Sequence, residues 1–134
     1  MSGGGQPRWL SKTGLITLHD RSLALHGGSP GLRDEGLLES ALARPLNRYA
    51  YEGVDAITEL AATYAVALSS NHPFVDGNKR TAFLAMGLFL ERHGLRLTAN
   101  QVDATLTMLG VATGETNVKA LSLWIEARVE RSTG

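Results

Sequence analysis

The pattern of apolar residues predicts a compact, single-domain, all-α fold of about six helices, two of them buried at its centre. Three observations carry this. Ile57, Leu60, Ala61, Tyr64, Ala65 and Leu68 recur at the i, i+3, i+4, i+7, i+8, i+11 spacing of one helical face, and Ala62, Val66 and Ala67 fill much of the rest. The segment Lys79 to His93 is apolar nearly all round through Ala82, Phe83, Leu84, Ala85, Met86, Leu88, Phe89 and Leu90, which suits a helix inside a bundle. Helix-capping residues punctuate the remaining chain, and nothing argues for a substantial sheet.

Taken in order, Gly3 to Gly5 mark residues 1–8 as a flexible leader, and the domain is expected over 9–131. Ser11 can accept from an orphan amide and cap a helix running to about His26, which Gly27, Gly28 and Pro30 then stop. Asp34 can cap a second helix, expected to reach about Ala43 before Pro45 ends it. Leu46 to Val54 shows neither helical nor strand period and reads as a loop or short irregular ribbon. The two central helices follow from Asp55, with Gly94 at the end of the second. Thr98 with Gln101 forms a capping box for a fifth helix ending near Gly114. Asn117 can cap a sixth, with Val118, Leu121, Trp124 and Ile125 on its inner face.

Composition bounds the function. A chain of 134 residues, 43% hydrophobic and 19% charged, supports one globular core and argues against disorder. Thirteen basic and thirteen acidic side chains cancel, so no global field draws in nucleic acid or anionic lipid, and a nucleic-acid role is not expected. With no cysteine there is no disulfide scaffold, thiolate metal site or cysteine nucleophile. The opening MSGGGQPRW has no apolar stretch that would act as a signal sequence. The longest uncharged apolar run, Thr81 to Leu90, is far too short for a membrane span. The expected location is the cytoplasm.

The two central helices are joined by Asn71-His72-Pro73-Phe74-Val75-Asp76-Gly77-Asn78-Lys79-Arg80. As turn chemistry it needs only Pro73 and Gly77. It carries in addition an imidazole, a carboxylate, an amide, an ammonium and a guanidinium at the start of a helix whose first amides are unpaired. Each has a task if the ligand is a nucleotide polyphosphate. The helix N-terminus after Gly77 offers free N–H groups and the positive dipole end to phosphate. Gly77 has no Cβ to obstruct phosphate oxygens, Asn78 can donate from its amide, and Lys79 and Arg80 supply charge. Asp76 is a hard oxygen ligand suited to Mg²⁺. His72 is the side chain best suited to accept a proton near neutral pH.

His72-Pro73-Phe74-Val75-Asp76-Gly77-Asn78-Lys79-Arg80 resembles the motif of the Fic/Doc (Fido) family, H-x-F-x-[DE]-[GA]-N-[GK]-R, with every fixed position filled. Lys79 after the asparagine, and Phe83 in place of a second arginine, match its death-on-curing (Doc) branch. His26 to Asp34, Ala50-Tyr51-Glu52, Ala62-Thr63-Tyr64 and Ala112 to Glu115 are also similar to that branch, so the likeness runs through most of the chain from about Trp9. Two positions depart from it: Ser70 stands where the branch has arginine, and Gly77 where it has alanine. These bear on the reaction more than on the family.

The resemblance implies a toxin that uses ATP and Mg²⁺ to modify a hydroxyl of a target protein. It implies that His72 is the base, Asp76 the Mg²⁺ ligand, Gly77, Asn78, Lys79 and Arg80 the phosphate cradle, and Phe74 the anchor of the loop in the core. Lys79 implies phosphate transfer, with elongation factor Tu as the target and translation arrested. Transfer of AMP, as in most Fic proteins, is the alternative chemistry, and a catalytically idle binding module the alternative class. Self-inhibited members carry [ST]-x-x-x-E-[GN]. Glu35-Gly36 and Glu52-Gly53 supply only its second half, with Gly31 and Arg48 at the first position, so inhibition is expected in trans from a Phd-like antitoxin.

The other polar residues have plainer readings. His19 and His26 are expected at the surface or rim, with no third ligand spaced to join them as a metal site. His93, in the last turn of its helix, suits the dipole there. Trp124 is read as core. Arg44 and Arg48 read as solvated charge, although the resemblance places this region beside the substrate groove and makes Arg48 and Tyr51 candidate target contacts.

Overall fold

A computed structural model of the chain describes residues 5–132, so the first four positions of the expected leader lie outside the described residues. Six helices are present among them: α1 (Lys12–His26), α2 (Glu35–Glu52), α3 (Ile57–Asn71), α4 (Asn78–Arg92), α5 (Gln101–Thr113) and α6 (Val118–Glu126). A two-stranded antiparallel ribbon of β1 (Leu95–Leu97) and β2 (Val129–Arg131) pairs Leu95 with Arg131 and Leu97 with Val129. The all-α expectation holds, with this short clasp added near the end of the described chain. No helix among the described residues is long and apolar enough to cross a membrane.

Helix α3 is the axis of the bundle, packed against α4, α2 and α6. Ala61, Ala62, Ala65 and Ala67 are fully buried, and their small side chains let neighbouring helices approach closely. Leu60, Tyr64 and Leu68 fill the layers between, each large apolar side chain contributing on the order of 1.5–3 kcal/mol on burial. On α4, Ala82, Ala85, Met86, Phe89 and Leu90 close the same core. Burial pushes the Tyr64 phenol up to about 12, against a smaller opposing effect of the Leu10 N–H, which donates to its oxygen at 3.0 Å.

Four helix boundaries rest on side-chain caps: Ser11 accepts from Gly14, Asp34 from Leu37, Asn100 from Asp103 and Asn117 from Ala120. Asn100, not Thr98, therefore caps α5. The Thr98 hydroxyl and N–H both donate to the Arg128 carbonyl, so Thr98 closes the ribbon. Trp124 is half-buried rather than core, its indole N–H donating to Asp103 and its ring lying under the Arg128 guanidinium.

The expected break at Pro45 does not occur. Helix α2 runs through it to Glu52, and the predicted ribbon over Leu46 to Val54 is mostly helix. Pro45 deprives the helix of one internal hydrogen bond, yet it is buried in line with Leu38, Ala41 and Leu42. Beyond it, Tyr49 packs edge-on against Trp9 with ring centroids 5.5 Å apart. Arg48 donates to Glu52, to Thr63 Oγ1 at 3.0 Å and to Glu59 Oε2 at 2.7 Å, tying the last turns of α2 to α3. Tertiary packing outweighs the local penalty. The legible signal was the apolar row Leu38, Ala41, Leu42, Pro45, Tyr49, which keeps helical spacing across the proline.

Candidate active site

The loop between α3 and α4 is fixed by the Asn78 side chain and by contacts with α1 and the α1–α2 connection. Helix α3 ends at Asn71, and His72 caps it in the left-handed region with φ 53° and ψ 54°, the only non-glycine at positive φ among the described residues. That conformation costs a non-glycine residue roughly 1–2 kcal/mol, which the surroundings must offset. Phe74 is buried and pairs across an isolated bridge with Leu32 of the α1–α2 connection. Its ring stacks on that of His19 at 3.7 Å between centroids. His19 is itself buried, not at the rim as expected, because Leu15, His19 and Ser22 form the inner face of α1. Its Nε2–H donates to the Asp76 carbonyl at 2.8 Å.

Asn78 has a structural task beside the one expected of it. Its Oδ1 accepts from the Phe74 N–H at 3.0 Å, and its Nδ2 donates to the Phe74 carbonyl at 2.9 Å and to His72 Nδ1 at 3.3 Å. The amide is thus spent on folding the loop, leaving the Asn78 backbone N–H to face a ligand. Since Nδ2 can only donate, the neutral His72 ring carries its lone pair on Nδ1 and its proton on Nε2. The contact is long, so the lone pair can exchange Asn78 for a stronger donor.

Gly77 precedes α4 with φ 77°. A Cβ there would stand 3.4 Å from Leu23 and 3.6 Å from His19, ordinary contacts, so the backbone angle rather than lack of space calls for glycine. The Thr81 N–H bonds back to the Gly77 carbonyl, whereas the N–H groups of Asn78, Lys79 and Arg80 have no protein partner among the described residues. Lys79 and Arg80 are exposed, and neither forms an ion pair there. Three free amides and two free cations share one helix start.

Asp76 is held both from outside the motif and from within it. Its Oδ2 accepts from the Ser29 N–H at 3.1 Å and its Oδ1 from the Gly77 N–H at 2.8 Å. The Ser29 N–H, then the Gly77 N–H, keep its carboxyl below the usual aspartate range, so it is charged across the physiological range. Gly28 makes this approach possible: at φ 126°, a Cβ would stand 3.0 Å from Asp76 Oδ2 and 2.8 Å from Leu23. Lone pairs remain on both carboxylate oxygens. One carboxylate completed by phosphate oxygens and water is a donor set that fits Mg²⁺, and no cluster of three metal-binding side chains occurs among the described residues to favour another ion.

His72, Asp76, Gly77, Lys79 and Arg80 all line one cleft of about 980 Å³. Its other wall is mostly apolar, with Phe83 and Leu84 from α4 and Ala104, Met108 and Leu109 from α5, interrupted by Gln101 and Thr105. A charged end and an apolar wall in one cleft suit a ligand with an anionic end and a flat, weakly polar body. Arg48 and Tyr51 do not line it: the Arg48 guanidinium is engaged by Glu52, Thr63 and Glu59, and Tyr51 is exposed. Nor do Glu35 and Glu52, which pair with Lys12 and Arg48. Ser29, His19 and Gly28, which hold Asp76, escape a sequence reading because no local pattern joins residues so far apart in the chain.

An imidazole, a carboxylate and an open helix start thus sit together on the loop between two buried helices. The chain belongs to the Fic/DOC family, whose model matches residues 9–90. It is 41% identical over 115 residues to "Protein kinase doc" of Escherichia phage P1, covering 86% of this chain and 90% of the phage protein. It is also 40% identical over 101 residues to "Toxin Doc" of Mycolicibacterium smegmatis, covering 72% of this chain and 76% of that one.

Proposed function

We propose that this protein is the toxin of a toxin–antitoxin pair and transfers the γ-phosphate of ATP to a hydroxyl of a target protein in the cytoplasm. The observation that carries this reading is the convergence of His72, Asp76 and the open start of α4 on one cleft. The names of the phage and mycobacterial relatives support it, and Lys79, the branch-specific residue, favours phosphate over AMP. The first-turn N–H groups with Lys79 and Arg80 bind and orient the triphosphate. Asp76 would hold Mg²⁺, which when bound neutralises phosphate charge. His72 takes the proton of the target hydroxyl as the new O–P bond forms, the bond from the γ-phosphorus to the β,γ-bridging oxygen breaks, and ADP leaves. By resemblance the target is elongation factor Tu, and modification arrests translation.

Control comes from a second chain, a Phd-like antitoxin, because neither glutamate–glycine pair of this chain reaches the cleft. The deciding experiment incubates the protein with elongation factor Tu, Mg²⁺ and ATP labelled at the γ- or the α-position. Label from the γ-position alone is expected. Label from the α-position means AMP transfer. No label from either, with growth arrest undiminished in His72→Ala, means a binding module instead.

A further inference from the structure

The candidate base sits in a backbone conformation that its residue type disfavours, and one residue outside the motif holds that backbone from behind. Arg33 lies in the connection between α1 and α2, 39 positions before His72. Its Nε donates to the His72 carbonyl at 2.7 Å and its Nη2 to the Asn71 carbonyl at 2.9 Å. Its own N–H donates to the Pro73 carbonyl at 2.7 Å. One residue therefore fixes three consecutive carbonyls, those on either side of and at the left-handed position.

Orientation of the His72 carbonyl defines its ψ. Together with φ this sets the direction in which the imidazole leaves the backbone. A glycine would cap α3 in this geometry at little cost, but a glycine has no base to offer. We propose that Arg33 is a positioning residue for the proton acceptor: its guanidinium fork holds His72 in the left-handed conformation that presents the imidazole to the cleft. The inference rests on His72 being the base. The His72 N–H also donates to the Leu68 carbonyl at 3.2 Å, which fixes the end of the helix but not the His72 carbonyl, and the ring itself has only the long Asn78 contact at 3.3 Å. Lysine cannot substitute, because a point charge does not span two carbonyls as a planar fork does.

The test compares wild type, Arg33→Lys and Arg33→Met for labelled transfer from ATP, with thermal unfolding and the NMR signals of the His72 ring measured on the same samples. Positioning predicts a fall in kcat of roughly 10- to 100-fold in Arg33→Met, with KM for ATP within about twofold, because misplaced reacting groups lose rate rather than binding. Arg33→Lys falls between. The His72 ring signals shift or split in both variants, while those of His93, just past the far end of α4, stay in place. A merely structural cap would lower the melting temperature and leave kcat per folded molecule and the His72 signals unchanged, which overturns the proposal. If wild type itself transfers no label, the phosphotransfer reading fails, and the imidazole signals still decide whether Arg33 places the ring. Should Arg33→Met not fold, the same comparison stands on Arg33→Lys.

Discussion

Replacing Asn78 by alanine tests whether the motif asparagine is first a staple of the loop. Its amide is the side-chain partner of both the N–H and the carbonyl of Phe74, at 3.0 and 2.9 Å, and the residue is buried. Removing the amide leaves two buried backbone groups unpaired, each costing about 1–3 kcal/mol. Water entering from the adjacent cleft recovers part of this, so a loss of about 2–4 kcal/mol is expected. For a chain of this length, that is a fall in melting temperature of roughly 6–15 °C. Urea unfolding with the slope unchanged is the assay. Transfer should fall as well, since the loop that carries His72 and Asp76 loses its internal tie. A stability loss below about 1 kcal/mol would refute the staple. Full stability with transfer abolished would place the amide on the substrate instead. Asn78→Asp adds a sign test: it sets an acceptor against the Phe74 carbonyl, which disfavours the charged form and raises the folded-state pKa of the new carboxyl. Its stability deficit should therefore shrink as the pH falls and the acid regains a donor.

Other outcomes follow from the same structure. Asp76 has a depressed folded-state pKa, so the stability it contributes is present above its unfolded value and is lost as the pH falls through the lower folded one. Its carboxyl carbon, followed by NMR, should titrate below an ordinary aspartate, and a normal value would mean the Ser29 and Gly77 N–H bonds are not made. Tyr64 has a raised folded-state pKa of about 12, so its contribution is intact below the unfolded value and is lost as the pH climbs through about 12. Ultraviolet titration of wild type against Tyr64→Phe should show one phenol ionising last, and its absence would argue that the Tyr64 phenol is not buried in the core. Thr81 has a buried hydroxyl with no partner among the described residues, so Thr81→Val should be neutral or stabilising by up to about 1–2 kcal/mol. A clear loss on thermal unfolding would reveal a hydrogen bond the structure lacks. His72→Ala should reduce transfer roughly 10²- to 10⁴-fold while the fold persists; undiminished transfer would remove His72 from the chemistry.

Local physics made most of the helices legible. Ser11, Asp34 and Asn117 announce their helix starts through side-chain acceptors, and the row from Ile57 to Leu68 announces a buried helix by spacing alone. The reading failed where a distant partner outweighed a local rule. Pro45 should break α2, but Trp9 and Glu59 reward its continuation, and Thr98 should cap α5, but the Arg128 carbonyl engages it first.

The site divides in the same way. Residue types within one short segment determined by themselves which chemistry is on offer: an imidazole, a carboxylate, two cations and a helix start, because functional groups adjacent in sequence stay adjacent in space. Tertiary structure alone decided how they are held. Ser29 and His19 on Asp76, and Arg33 behind His72, come from chain segments that the sequence places far away. Hydrogen bonds between such segments form only once the core has brought α1 and its connection against the α3–α4 loop. Short-range spacing can specify a helix or a motif, but not the long-range hydrogen bonds that aim its side chains.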